Sequence, residues 1–249
     1  MDSSNLSIPL YTRISVAMSN SKKVCAEDET PPGAKYRLRI FEPVLQHGPQ
    51  CGIVAIVNGF RMLEEDNGCS VENVFAAAKE CDFSNNGEMF SPFWLADLAH
   101  IMCEKIRAAV IDFPSTQQLI DIINCEMDAV LIPYDCEKNG EPGTFDGHKA
   151  HWCLITGSLV VSSEFEGLEE AKAIHYNEAT CEVFVFGLQG KSRYPGVWNV
   201  DALRLSNAQL KELGSCRSSD DLEYRLPPNG VAELSGKCVL FQRRSSIIS

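Results

Sequence analysis

Gln46-His47-Gly48-Pro49-Gln50-Cys51-Gly52-Ile53-Val54-Ala55-Ile56-Val57-Asn58-Gly59-Phe60 reads as a turn that sets a cysteine at the start of a helix. Gly48 and Pro49 make the turn, Gly52 lets another backbone pass close, and the apolar residues that follow are too many for a surface helix. Cys51 therefore falls in the first turn of a buried helix. There the unpaired N–H groups and the helix dipole favour the thiolate, which is the attacking form of cysteine. Gln46, five residues earlier, is placed to bring its side-chain amide beside the Cys51 backbone N–H and form an oxyanion hole. The competing reading is a packed core thiol, since the chain has eleven cysteines and an unpaired cysteine is among the most often buried residues. Position separates Cys51 from the others: it alone follows a Gly-Pro turn with a nearby Gln and opens a long apolar helix.

A cysteine nucleophile needs a base that takes its proton and returns it to the leaving amine, which histidine does near neutral pH. Of five histidines, His151 opens the apolar run His-Trp-Cys-Leu-Ile-Thr-Gly. This leaves its ring at a sheet rim while Trp152 and Leu154 pack on the opposite face. His148 lies in the preceding loop, His47 is placed to line the cleft, and His100 and His175 have no such setting. An early Cys helix, a later His strand and a polar group at the next strand's end is the papain-like order. It makes Gln189 the candidate orienter, with an amide oxygen accepting the His Nδ1–H, and Asn177, Asp112 and Asp201 as substitutes. A zinc tetrad of Cys136, His148, His151 and Cys153 is the rival chemistry, but its spacings match no common zinc module. Gly190-Lys191-Ser192 resembles the end of a phosphate loop but lacks the first glycine that such a loop needs. No metal and no cofactor is expected.

Around these groups the pattern predicts an α+β domain over residues 35–249, with the nucleophile helix packed on an antiparallel sheet. Residues 1–34, rich in Ser and Asn and ending in Asp-Glu-Thr-Pro-Pro-Gly, read as a mobile tail. A strand is expected over 36–41, and Gly68 is expected to cap the Cys51 helix. Helices are expected after the caps Ser70, Ser91 (with Pro92 and an apolar face of Trp94, Leu95, Leu98, Ile101 and Met102) and Ser115. Further strands are expected over 107–113, 129–134 and 150–161, with 164–171 as a surface insertion. A hairpin joins 174–176 to 181–186, a helical stretch lies within 200–213, and 237–243 forms a last edge strand.

The net charge of −12 argues against a nucleic-acid or anionic-membrane surface, both of which require basic patches. The first twenty residues hold no uninterrupted apolar core, and no run is long enough to span a bilayer. Eleven cysteines, an odd number without CxxC pairs, suit a reducing compartment, so the expected location is the cytosol.

The Gln46–Gly52 stretch, Phe90-Ser91 before the third helix, His151-Trp152, Gln189-Gly190-Lys191-Ser192 and Ser206-Asn207-Ala208-Gln209-Leu210 together resemble the actin maturation protease family over about residues 36–213. That resemblance implies a papain-like cysteine aminopeptidase, related to bacteriocin-processing peptidases, that removes an N-terminally acetylated Met or Cys from newly made actin. It implies Cys51 as nucleophile, His151 as base and Gln46 as oxyanion donor; Gln189 matches a family motif of unassigned role. Members with a long proline-rich N-terminal extension are suited to profilin, whereas residues 1–34 of this chain hold only Pro9 and the pair Pro31-Pro32, so a profilin partner is doubtful. Lys191 and Arg193 are expected to meet an acidic actin N-terminus, against the alternative of two solvated loop cations. Isopeptide cleavage or acyl transfer by the same residues, and a non-catalytic actin-binding module, are the other functions open at this level.

Overall fold

The computed structural model describes residues 7–21, 32–66, 68–214 and 222–244. In chain order the elements are α1 (Ile8–Ser19), β1 (Gly33–Leu38), α2 (Cys51–Met62), α3 (Val71–Glu80), α4 (Pro92–Met102), β2 (Ile106–Asp112), α5 (Thr116–Asn124) and β3 (Asp128–Cys136). There follow β4 (Pro142–Gly143), β5 (Ala150–Ser162), β6 (Leu168–Glu170), β7 (Cys181–Leu188), β8 (Gly196–Asn199), α6 (Val200–Ala208), a 3-10 turn at Gly230–Leu234 and β9 (Lys237–Arg243). No described helix is long and apolar enough to cross a membrane.

The sheet is built on β5, whose thirteen residues are all buried. Along one edge β5 pairs first with β3 and then with β1, and along the other with β7. The spatial order is β2-β9-β3-β5-β1-β6, with β8 outside β7 and β4 beside β3, and every pairing but β1 with β6 is antiparallel. One face carries α2, α3 and α4 against Leu131, Trp152, Leu154 and Phe241. The opposite face carries α5 and α6 against Ile132, Tyr134, Cys153 and Ile155. The α+β class, with the Cys51 helix lying on an antiparallel sheet, is as expected.

Helix α2 is buried on nearly all sides: Ile53, Val54, Ile56, Val57 and Phe60 are each at most 1% exposed. Each such side chain removed from water is worth roughly 1.5–3 kcal/mol, so this helix belongs to the core before it belongs to any site. Gly52 is required by close approach, because a Cβ there would lie 2.6 Å from Met89 Cβ and 3.1 Å from Trp152 Cδ1. Buried Asn58 binds both backbone groups of Val44, accepting its N–H at 2.8 Å and donating to its carbonyl at 3.1 Å, which moors the chain leading into the Gln46 turn.

The caps at Ser70, Ser91 and Ser115 form as expected, each hydroxyl accepting from the third residue of its helix, with a full capping box at Ser115 and Gln118. Other expectations are corrected. Helix α2 ends at Leu63 in a Schellman arrangement, with Glu64 at φ 58° and Glu65 N–H donating to Phe60 O at 2.8 Å, not at Gly68. Ile101 is 56% exposed, outside the buried face of α4. The mobile tail expected over 1–34 is wrong for Ile8–Ser19, where Leu10, Ile14 and Ala17 bury one helical stripe against Tyr36, Leu159 and Phe186. The small polar residues that suggested a tail fit this helix because Thr12, Ser15 and Ser19 return their hydroxyls to the carbonyls four residues back. Residues 1–6 and 22–31 of that tail lie outside the described residues. The 174–176 hairpin arm does not form: β7 pairs with β5 and β8 instead, while Ile174 is pinned through both backbone groups to the Asn124 side chain. Strand β9 is not an edge, for it lies between β2 and β3.

Candidate active site

The Gln46 turn, the first residue of α2, the start of β5 and the loop after β7 contribute to the lining of a cavity of about 270 Å³. Cys51, Gln46, His151 and Lys191 line it together with Glu88, Met89, Phe90, Trp152, Tyr224 and Leu234. Cys51 is the first residue of α2, and the N-cap Gln50 supplies no side-chain hydrogen bond. The dipole at this helix start favours negative charge on sulfur.

His151 is 6% exposed and stands edge-on to Tyr134, with ring centroids 6.0 Å apart. Its Nε2 lies 2.8 Å from the Gln189 carbonyl oxygen. A carbonyl only accepts, so Nε2 carries the hydrogen and Nδ1 is left as the proton acceptor. The expected orienter is thus corrected in two ways: the bond is to Nε2 rather than Nδ1, and the main chain makes it rather than the amide. The Gln189 side chain turns away against Gly140, and its Oε1 is buried without a hydrogen-bond partner. The next carbonyl, of Gly190, accepts the Gln46 backbone N–H at 2.8 Å. Two successive carbonyls of one loop therefore hold His151 and Gln46. Gly190 has φ +81°, and a Cβ there would come 3.2 Å from Val54 Cγ1, so this loop requires glycine.

Gln46 donates from Nε2 to Gly48 O at 2.9 Å, which closes the turn and leaves the second amide hydrogen. Lys191 lines the cavity, and its charge draws down the Cys136 thiol, which burial, the larger effect, pushes up. Arg193 is not brought to this place: it lines a separate groove with Leu38, Ile40 and Tyr194. His47 is exposed and does not line the cavity. Its charge acts on Glu72, whose carboxyl is held below its usual value mainly by its own backbone N–H and Ser70. Asn177, Asp112 and Asp201 do not line the cavity either. His148 faces Glu212, and His100 accepts the Ala108 N–H. Among the described residues no cluster of His, Cys, Asp and Glu is placed to hold a metal. Cys153, which with Cys136, His148 and His151 would complete a zinc tetrad, is fully buried and donates to Ile132 O.

Two acidic residues at this site escaped the sequence reading. Asp135 is fully buried and accepts four N–H groups, from Phe145, Gly147 and Lys149 and from the Gln209 side chain, at 2.6–2.9 Å. It thereby shapes the loop that delivers His151. The Ser206-to-Leu210 motif serves the same purpose, since the Ser206 hydroxyl binds both backbone groups of Asp135 and Asn207 donates to Pro133 O. An aspartate at the end of an apolar strand before a polar loop was the available signal. Glu88, in the cavity wall, accepts from Asn85 N, Asn86 N, Ser84 Oγ and Arg225 N. Its four acceptor positions are taken, so it has none left for a substrate ammonium.

A family profile described as "Actin maturation protease-like, C-terminal domain" matches residues 41–159, a span that includes Gln46, Cys51 and His151. Three relatives named actin maturation protease align with the chain. That of Danio rerio is 32% identical over 79% of this chain and 71% of its own length. That of Xenopus tropicalis is 31% identical over 80% and 70%, and that of Homo sapiens 29% over 79% and 62%. A solved C39-like peptidase from Bacillus anthracis superposes with a TM-score of 0.41 at 12% identity, over 85% of this chain and 99% of that one.

Proposed function

The chain belongs to the actin maturation protease family and is a protease, and from that premise we propose that it is a cysteine aminopeptidase that removes the acetylated first residue, Met or Cys, from immature actin. The observation that carries the reading is the cavity shared by Cys51 and His151, with the His151 Nε2 occupied by the Gln189 carbonyl.

In this mechanism the His151 Nδ1 takes the Cys51 proton, and the thiolate attacks the carbonyl of the acetylated residue. The oxyanion lies between the Cys51 backbone N–H and the second hydrogen of the Gln46 amide. The intermediate collapses to a thioester as His151 returns the proton to the departing amine, which becomes the new N-terminus. Water, deprotonated by His151, then releases the acetyl-amino acid and restores the thiol. A blocked N-terminus carries no charge, and the cavity suits it: Met89, Phe90 and Leu234 are apolar, and Glu88 is already saturated. Lys191 beside the site favours a leaving chain that begins with acidic residues. No disulfide forms among the nine described cysteines, which suits the reducing cytosol where we place the protein.

The test is mass spectrometry of an acetylated actin N-terminal peptide incubated with the wild type and with Cys51→Ala. Loss of one acetyl-amino acid with the wild type alone is the expected result. Equal loss with both proteins would remove Cys51 from the mechanism, and no loss from either the peptide or whole actin would overturn the substrate.

A further inference from the structure

An enzyme that cuts behind only the first residue must stop its substrate from continuing past that residue on the acyl side. We propose that the segment carrying Tyr224 is this stop, so that Tyr224 determines exopeptidase specificity. The inference rests on the aminopeptidase reading above.

The lining of the cavity divides by chemistry. His151 hands its proton to the leaving amine, so the leaving chain is assigned to the side of His151 and of the loop bonded to it, which carries Lys191. The acyl part of the substrate is then assigned to the aromatic and apolar lining, Met89, Phe90, Tyr224 and Leu234. Tyr224 and Leu234 come from a part of the chain far beyond the cysteine and histidine elements. They belong to a strap within residues 222–234, which follows α6 and precedes β9 in the chain.

This strap is fastened on both sides of Tyr224. The Glu223 carbonyl accepts from the side-chain amides of Asn85 at 3.1 Å and Asn86 at 2.9 Å. The Arg225 N–H donates to Glu88 at 2.8 Å. Between these ties the Tyr224 ring stands edge-on to Phe90, with centroids 6.2 Å apart. The enclosed volume of about 270 Å³ falls below the roughly 300–1,000 Å³ of pockets that hold drug-sized ligands. It suits one residue with its acyl cap, and a substrate extended by further residues has to displace Tyr224.

The experiment compares two acetylated peptides with the acidic actin-like sequence, one starting at the residue to be removed and one carrying two extra residues before it. The full chain is incubated with each, and mass spectrometry reads the ratio of cleavage at the same bond. The wild type is expected to cut the short peptide only. Tyr224→Ala is expected to raise the relative rate on the extended peptide by at least about tenfold, the scale on which an apolar pocket discriminates. Asn85→Ala/Asn86→Ala, which unties Glu223 without touching the cavity lining, is expected to move the ratio the same way and decides the matter if Tyr224→Ala does not fold. Tyr224→Phe is expected to keep the wild-type ratio. A wild-type ratio in both the Tyr224→Ala and the double variant, with the short peptide still cut, overturns the stop and leaves the aminopeptidase reading standing. A wild type that cuts the extended peptide equally well also overturns it, and a wild type that cuts neither peptide and leaves whole actin unprocessed removes the aminopeptidase reading and the stop together.

Discussion

The His151 ring is held by the backbone of Gln189 and not by its side chain: Nε2 is 2.8 Å from the carbonyl oxygen, while the amide packs against Gly140. Where a side chain orients a catalytic histidine, substitution removes the orienting group. Here the orienting atom survives any substitution that preserves the turn.

Gln189→Ala is accordingly expected to lower kcat by less than about tenfold, whereas His151→Ala, which removes the proposed general base, is expected to lose about 10²–10⁴-fold. Steady-state rates on the acetylated peptide compare the two. A loss for Gln189→Ala as large as that for His151→Ala would mean that the amide acts directly.

Thiol labelling separates Cys51 from its neighbours. Burial pushes the thiols of Cys153 and Cys238 well above their ordinary value, and those of Cys69 and Cys136 upward. A raised thiol pKa means less thiolate at pH 7.5, so these four are expected to react slowly in the native protein and faster as pH rises. Cys51, at a helix start on an accessible cavity, is expected to react first, and Cys51→Ala to abolish the fast phase. Peptide mapping after brief alkylation is the measurement, and a fast phase that persists in Cys51→Ala would contradict it.

Asp135→Asn retains the shape but sets an NH2 group against backbone N–H donors. Because Oδ2 accepts three of the four bonds, the amide nitrogen is expected to face Lys149 N–H and leave it unpaired. The expected cost is about 1–3 kcal/mol of stability, read from urea unfolding, with a fall in kcat as the loop before His151 loosens. Unchanged stability would show that the loop is held by its other bonds.

Gly52→Ala opposes two effects of known size. Replacing a helical glycine gains at most about 1 kcal/mol of helix propensity. The new methyl meets Met89 Cβ at 2.6 Å, and overpacking of this kind costs about 1–3 kcal/mol. Both atoms are fixed to backbone, so net destabilisation and lower activity are expected, with the urea midpoint as the readout.

The parts of this molecule that were legible in its sequence are those set by neighbouring residues. The Gln46 turn, the apolar run of α2 and the serine caps each declare themselves within a few positions. What failed was pairing between distant segments. Strand β9 looked like an edge because nothing in 237–243 reveals that it has two partners, and 174–176 looked like a hairpin arm because the turn after it is plausible locally. For Gln189 the position near His151 was readable, but whether its amide or its carbonyl faces the ring depends on the turn made by the whole loop. Tyr224 has no periodic pattern around it, and its place in the lining of the Cys51 cavity goes with the ties that Glu223 and Arg225 make to residues 85–88.

The position of β9 also sets when this protease can first act during its own synthesis. The strand enters between β2 and β3, so the sheet stays split until residue 243 has been made and seated. Cys51 emerges from the ribosome early, yet the carbonyls that fix Gln46 and His151 come from residues 189–190 and the strand that joins the sheet comes later still. Such long-range closure is slow compared with helix formation. A growing chain therefore carries Cys51 through most of translation before the groups that hold Gln46 and His151 are in place.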